Sequence, residues 1–536
     1  MSRPDCLLVR PWAPSAVPPD ALVEDSLGVG FISASLRQAG YRVMVLDAFT
    51  FQLQDEDVVR CVLEISPAVL GISLHSFADY RHCVAIADGV AAQRPDIYRV
   101  LGGEHATFLA RPILEKHASV NAVVAGEGEK TIQEIVQRVV SGRATGLISG
   151  AVTRDTDGSI LDGGARRAIE DLDALPWPHK DTVELAIQAG RPVAVSLLTG
   201  RGCTHKCTFC TANTFLRLGG GVVWRRRSPK QVADEMEDLI RRYIGRPGVH
   251  PMIQFQDVIF LGASPQARRW TAEFLDELEA RGLRTPYYLM SRAEAILANA
   301  DLMPRLAATG LSSVEVGIET GVDRILQAYN KQNSTGRTED AIQILREHAI
   351  CYDASGFIMF DPRMTLEELR TSALFLRRID HATWDRYITK LQVFPGTVIR
   401  SQLIEEGLYR SDGELDDVYG YRFVDRRVWQ VARHTWFYDD SIRRLDCAMR
   451  SSKAEIARRV RHGEPVGALS NALDLAQQVY CEHFLALIGL ADAGELETRF
   501  EEQMRVFLVQ VEFASVCLDS CLLTKEDSVA AAGLAS

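Results

Sequence analysis

Two long runs of alternation between short β-rich stretches and helical stretches constrain what this 536-residue chain can fold into. In the first, Cys6-Leu-Leu-Val-Arg, Arg42-Val-Met-Val-Leu, Val69-Leu-Gly-Ile-Ser-Leu, Arg99-Val-Leu-Gly-Gly and Asn121-Ala-Val-Val-Ala are separated by segments of helix-like apolar spacing at 31–39, 56–65, 80–92 and 130–140. A helix between successive strands implies crossover connections, so this half predicts a parallel, doubly wound, Rossmann-like α/β unit. The second run has β-like segments at Val193–Leu198, Met252–Phe255, Tyr287–Met290, Ser313–Ile318, Gly356–Phe360 and Ile388–Val393, which predicts a partial (βα)6 barrel. Between them, Thr156-Asp157-Gly158 reads as a hairpin turn, and Leu172-Asp-Ala-Leu-Pro176-Trp-Pro178 as irregular chain, because proline donates no hydrogen bond. Beyond about residue 400 the β signal fades, and 468–490 and 496–523 read as long amphipathic helices, with a disordered tail from Glu526. The expected units are 1–145, a linker at 146–190, a barrel at 191–400 and a mainly helical domain at 401–536.

Hydrophobic residues at 47% and charged residues at 24% are a globular balance that excludes widespread disorder. A net charge of -11 argues against general attraction to nucleic acid, and the run Arg225-Arg226-Arg227 reads as the solvated start of the helix after Ser228-Pro229. No apolar run is long enough for a membrane span, and the N-terminus lacks the succession of a secretory signal. Eleven cysteines, an odd and scattered set, are no disulfide framework, so the expected compartment is the cytoplasm.

In a doubly wound sheet, ligands lie beyond the carboxyl ends of the strands. Those ends carry Asp47, Ser73, His75, Gly102, Gly103, Glu104, His105, Gly126 and Glu127, followed by Gly128 and Glu129. Small residues there let a large ligand approach the backbone, although glycines after strands also serve as simple turns.

The decisive motif is Gly202-Cys203-Thr-His-Lys-Cys207-Thr-Phe209-Cys210, placed at the end of the first barrel strand. Three thiolates at this spacing can ligate three irons of a cubane cluster and leave the fourth iron open to a chelating molecule. A zinc site recruiting His205 is the competing reading, against which stands the departure from paired CxxC spacing.

At these residues the sequence resembles the radical SAM superfamily, whose CxxxCxxC motif carries an aromatic before the third cysteine, here Phe209. The resemblance implies a 4Fe-4S cluster on Cys203, Cys207 and Cys210, with the amino and carboxylate groups of S-adenosylmethionine on the unique iron. It extends to Phe255-Gln-Asp257, Ser291-Arg292, Val316-Gly-Ile-Glu319-Thr-Gly321, Leu326-Gln-Ala-Tyr-Asn330-Lys331 and Phe394-Pro-Gly-Thr397. It implies that Phe209, Asp257, Ser291, Arg292 and Glu319 contact S-adenosylmethionine, with Arg292 placed to pair with a carboxylate. With Val100-Leu-Gly-Gly103-Glu-His-Ala-Thr107, Gly126-Glu-Gly-Glu129 and the Leu-Asp-Ala-Leu-Pro-Trp-Pro linker, the chain looks like the cobalamin-binding branch. The better-known cobalamin signature Asp-x-His-x-x-Gly is missing: Asp47-Ala-Phe-Thr-Phe51 offers no histidine beneath cobalt, so the resemblance implies a vacant or water-bound lower face, with His75 and His105 read either as candidate ligands or as ordinary turn histidines.

The resemblance implies radical abstraction of hydrogen from a small biosynthetic substrate, followed by methyl transfer from methylcobalamin, with electrons from a donor such as flavodoxin or ferredoxin. The alternatives are a radical cyclisation, oxidation or rearrangement without methyl transfer, and an RNA-modifying methylthiotransferase-like enzyme. The last would want three further cluster cysteines and a β-rich C-terminal unit, whereas Cys6, Cys61 and Cys83 are unsuitably spaced and the C-terminal part reads as helical. Tyr419, Tyr421, Trp429, Trp436, Phe437 and Tyr438 read either as a pocket over the barrel mouth or as core, and Cys517 and Cys521 as packing residues.

Overall fold

The computed structural model describes residues 3–14, 22–410, 415 and 417–523; the tail expected to be disordered lies outside them. The strands of the first half are β1 (Cys6–Arg10), β2 (Val23–Glu24), β3 (Val43–Asp47), β4 (Val69–Ser73), β5 (Tyr98–Gly102), β6 (Ala122–Val124), β7 (Ala151–Arg154) and β8 (Ile160–Asp162). Those that follow are β9 (Val193–Leu197), β10 (Gly200–Gly202), β11 (Trp224–Arg226), β12 (Val249–Phe255), β13 (Tyr287–Ser291), β14 (Leu311–Val316) and β15 (Cys351–Asp353).

The first sheet has the order β3-β1-β4-β5-β6-β7-β8. Its first five strands pair in parallel, with Cys6 opposite Val43 and Val69, and Val69 opposite Tyr98. Successive side chains go to opposite faces, so Leu7, Val9, Leu70, Ile72, Leu101 and Val123 enter one core while Cys6, Leu8, Val69, Val100, Ala122 and Val124 enter the other. Burial on both faces is why these strands read as nearly unbroken apolar runs. Cys6 and Cys83 are packed into these separate cores, and burial raises the Cys6 thiol to about 12.

The segment 146–190 is more than a linker. Its first part forms β7 and β8, which add an antiparallel edge to the sheet, and its end forms the helix Asp181–Gln188. The prolines at 176 and 178 rule out regular structure only in their own neighbourhood.

The second sheet runs β15-β14-β13-β12-β9-β2, all parallel. β2 comes from the N-terminal part of the chain and lies beside β9, with the Val23 N–H donating to Pro192 O at 2.8 Å. The buried Lys180 ammonium locks this crossing: it donates to Asp25 Oδ2 at 2.7 Å and to Ser196 O at 2.5 Å. A two-residue strand has no readable period, so the expected boundary at residue 145 missed this exchange. The fifth strand also differs, lying at Cys351–Asp353 rather than Gly356–Phe360, because the Ile358 N–H is spent on Glu319 O. Of the expected sixth strand only one parallel bridge, Phe360 to Lys390, forms.

The C-terminal part is helical, as expected at 468–490 and 496–523; the helices are Gly467–Ala493 and Leu496–Leu523, preceded by Asp440–Arg461, which the sequence reading did not single out. They close over the barrel through Trp384, a fully buried side chain whose ring lies 5.0–5.9 Å from those of Phe507, His483 and Tyr480. Buried Asp446, on the first of these helices, accepts the Trp384 and Asp385 N–H groups at 3.1 Å. Cys517 and Cys521 pack partly buried against this core. No helix among the described residues is long and apolar enough to cross a membrane.

Removing the indole leaves a cavity between barrel and helices. Trp384→Ala therefore lowers the stability of this unit by about 3–5 kcal/mol, read as an earlier unfolding transition in urea.

Candidate active site

β9 ends at Leu197, and the chain turns through Leu198-Thr199 into the hairpin β10/β11, where Gly200 faces Arg226 and Gly202 faces Trp224. Asp257, at the end of β12, holds this turn: it accepts the Thr199 N–H at 2.9 Å and the hydroxyl at 2.7 Å. Gly202 has φ +109°, and a Cβ there would stand 1.8 Å from Val223 O. Only glycine fits at the point where the chain leaves the hairpin for the cysteine loop.

The loop is then fastened to the segment after β14. The Thr208 N–H donates to Tyr329 O at 2.9 Å, Asn330 Nδ2 donates to Lys206 O at 2.9 Å, and the Phe209 ring meets Tyr329 edge-on at 5.0 Å. Cys207 is buried, and Cys203 and Cys210 are half-buried. Burial raises the Cys203 thiol, and Arg292 and Lys331 pull it the other way. Among the described residues no three His, Cys, Asp or Glu side chains converge on one point as a single-ion site would require. A cubane is different, since each thiolate binds its own iron, and three sulfurs spread along one anchored loop suit it.

Beneath the loop lies a buried polar group drawn from the ends of β13 and β14. Arg292 Nη1 donates to Cys207 Sγ at 3.3 Å, while its other nitrogens bond Glu294 and Lys331 O. Lys331 in turn pairs with Glu319, which takes the left-handed conformation at φ +68°. His205 Nε2 lies 3.4 Å from Glu294 Oε1, and burial together with Arg292 pushes the imidazole down to about 4. The structure thus brings Phe209, Arg292 and Glu319 around the cysteine loop. Ser291 is buried beside them, with its hydroxyl on Arg292 O. Asp257 is occupied with Thr199 and is 1% exposed, so it supports the loop from behind.

A cavity of about 390 Å³ opens between the carboxyl ends of the first sheet and the start of the barrel. Ser73, His75, Gly102, Gly103, Glu104, Gly126 and Glu127 all line it, as do Leu198, Gly200, Arg201 and the short helix after the cysteine loop through Ala212 and Phe215. At Gly28 and Gly126 an added Cβ would meet no atom within 4 Å, so both offer bare backbone to this space. The wall is mostly apolar and of ligand-pocket size, which suits a large ligand that needs close backbone approach. Two expected residues stand outside the lining. Asp47 is buried and spends its carboxylate on the Thr50 hydroxyl and N–H, and His105 is buried among its neighbours.

Four charges join the two halves at the edge of this cavity. Arg225 bonds Glu127 at 2.6 Å, and Arg201 bonds Glu129 at 2.5 Å while approaching Glu127 at 3.6 Å. Burial pushes the Glu127 carboxyl up, but Arg225, Arg201 and the Ile169 N–H outweigh it and hold the group below its ordinary range. The arginine run is therefore not a solvated helix start. Arg225 and Arg227 are buried, Arg227 pairs with Glu235, and Arg226 stacks 3.4 Å over the Trp270 ring. Sequence reasoning missed Arg201 and Lys331 as site residues; flanking glycines at 200 and 202 were the available signal for Arg201. The C-terminal aromatics form neither a closed pocket nor a uniform core: Trp436 is 60% and Trp429 41% exposed, while Tyr421 packs against Phe423.

Known families match both halves of the chain. The family described as B12 binding domain matches residues 21–136, and the radical SAM superfamily matches residues 197–376. The chain thus carries a B12 binding domain followed by a radical SAM domain. An anaerobic magnesium-protoporphyrin IX monomethyl ester cyclase of Rubrivivax gelatinosus is 29% identical over 67% of this chain and 63% of its own length. A cytidylyl-2-hydroxyethylphosphonate methyltransferase of Streptomyces wedmorensis is 28% identical over 60% of this chain and 66% of its own. The chain thus spans a little under two thirds of the length of such curated relatives. The solved cobalamin-dependent S-adenosylmethionine radical enzyme OxsB, with aqua-cobalamin and S-adenosylmethionine bound, superposes with a TM-score of 0.73. At 16% identity, with 99% of this chain and 81% of that one covered, that likeness is one of fold. The family's cofactors are a 4Fe-4S cluster, S-adenosylmethionine and cobalamin.

Two measurements follow from this geometry. Glu127→Ala strands Arg225 in the interior and lowers stability by about 3 kcal/mol, whereas an exposed control such as Glu115→Ala changes it by less than about 0.5 kcal/mol, both read by thermal unfolding. Burial raises the Asp257 carboxyl to about 6, so the folded protein holds this proton over a window in which the unfolded chain has lost it. The contribution of Asp257 to stability therefore falls as pH rises from about 4 to 6, by roughly 3 kcal/mol. Asp257→Asn, compared with the parent in urea titrations across that window, removes this slope.

Proposed function

We propose that the chain is a cobalamin-dependent radical SAM methyltransferase acting on a small molecule. The observation carrying this reading is the single cavity that has the glycine-rich ends of the first sheet on one side and the helix leaving the cysteine loop on the other. Cys203, Cys207 and Cys210 hold the cluster; Phe209, Ser291, Arg292 and Glu319 surround the place for S-adenosylmethionine; Ser73, His75, Gly102, Gly103, Glu104, Gly126 and Glu127 border the corrin. When bound, these groups supply an electron that cleaves S-adenosylmethionine to a 5'-deoxyadenosyl radical, and a carrier for a methyl group.

The protein's part is placement. Thr199 and Asp257 fix the turn into the hairpin, Tyr329 and Asn330 fix the cysteine loop, and the Glu127/Glu129 pairs with Arg201 and Arg225 fix both against the corrin site. The mostly apolar wall of the cavity disfavours water beside the reactive species. The substrate is a small molecule, and an external one-electron donor such as flavodoxin or ferredoxin supplies the reducing equivalent.

The test is anaerobic reconstitution with iron, sulfide and hydroxocobalamin, followed by quantitation of both metals. Near-stoichiometric cobalt beside about four irons supports the assignment. Cys207→Ala is expected to lose the cluster and reductive cleavage of S-adenosylmethionine while keeping cobalamin, since the corrin wall is untouched. Cobalamin that fails to bind the parent protein overturns the role given to the first sheet. A second reading, radical ring closure without methyl transfer, draws on the relative whose name is that of a cyclase. Mass spectrometry for a product heavier by one methylene decides between them.

A further inference from the structure

The family resemblance gives Arg292 one task, pairing with a carboxylate of S-adenosylmethionine. In the structure three of its five N–H groups are engaged by the protein. Nε is held by Glu294, Nη2 by the Lys331 carbonyl, and Nη1 points at Cys207 Sγ from 3.3 Å. Both Arg292 and Cys207 are buried, at 6% and 8% exposure, so this cation faces the sulfur through protein rather than water. Its position is fixed by two partners that belong to neither cofactor. Glu294 is half-buried beside His205 of the cysteine loop, and its second oxygen, itself buried, has no hydrogen-bond partner among the described residues. Lys331, which supplies the carbonyl, is anchored through its ammonium to Glu319.

We propose that Arg292 is a positioning residue for the iron-sulfur cluster, setting its reduction potential through a charge-assisted N–H to sulfur hydrogen bond on Cys207. A hydrogen bond to a ligating thiolate withdraws electron density from the cluster, and a buried positive charge stabilises the added electron. Both effects raise the potential. A planar guanidinium suits this duty better than an ammonium, because one nitrogen can face the sulfur while the other two stay tied to Glu294 and Lys331. Arg292 then eases the electron transfer that starts the reaction and leaves the methionyl carboxylate of the cofactor to other donors. The inference rests on the reading of Cys207 as a cluster ligand but needs neither substrate nor cobalamin.

The experiment is a redox titration of the cluster, followed by electron paramagnetic resonance, in the anaerobically reconstituted full chain without S-adenosylmethionine. Arg292→Met is expected to make reduction at least tenfold less favourable, a shift of 59 mV or more to lower potential for one electron. Arg292→Lys keeps the charge but loses the fork, and falls between. Deuterium exchange is expected to remove a proton coupling from the parent spectrum that Arg292→Met lacks from the outset. The proposal is overturned if Arg292→Met assembles its cluster and titrates at the parent potential. It is equally overturned if the potential is unchanged while S-adenosylmethionine binds tenfold or more weakly, the signature of a carboxylate partner. Should Arg292→Met fail to take up iron, Arg292→Lys decides: a lowered potential supports the assignment, and the parent value overturns it. A parent protein that binds no cluster is a failure of the proposed function itself, and iron analysis reports that separately.

Discussion

Glu127 and Glu129 follow the carboxyl end of β6 in the first sheet, and Arg201 and Arg225 stand opposite each other on the separate β10/β11 hairpin that precedes the cysteine loop. Burying four charges is costly unless each finds its partner, so only one docking of the two halves is acceptable. That docking puts Arg201, two residues before Cys203, against the wall of the cavity. The spacing between the glycine-rich wall of the cavity and the cysteine loop is thus written into ion pairs that tolerate little displacement. Such pairs add little net stability, because desolvation offsets their attraction; their effect is to make every other arrangement worse.

The same economy appears around the cysteine loop, where each polar side chain holds another that touches the site. Asp257 holds Thr199, Glu294 holds Arg292, and Glu319 holds Lys331, whose carbonyl also holds Arg292. A rigid floor of this kind matters in radical chemistry, where a reactive carbon must meet one hydrogen among many and misplacement costs rate steeply. The helical C-terminal part contributes from the far side, closing the barrel through Trp384 and Asp446 where a sixth strand is reduced to one bridge.

Much of this was legible in the chain. Strands buried on both faces are unbroken apolar runs, which is why β1, β4 and β5 stand out in the sequence, and the cysteine spacing announces the cluster because its ligands are local. What failed to show were elements defined by pairing rather than pattern. β2 has two residues and β15 three, β7 and β8 showed in the sequence only through their turn at Thr156-Asp157-Gly158, and Gly356–Phe360 has strand composition but gives the Ile358 N–H to Glu319. Arg225, Arg226 and Arg227 read as solvated because a charge run usually is; only the partners Glu127, Trp270 and Glu235, distant in sequence, make burial tolerable.

The sequence by itself determined the two α/β units, the helical C-terminal part, the cysteine loop and the glycine-rich strand ends, since each depends on residues close together in the chain. Tertiary structure alone decided that Asp47 and His105 lie outside the cavity, that Asp257 supports the loop instead of facing the open site, and that Arg292 meets Cys207. It also decided that β2 crosses into the second sheet. The physical reason is common to all of them. A side chain's role follows from what it faces, and in a structure with long crossovers that neighbour comes from far along the chain, where local pattern carries no information about it.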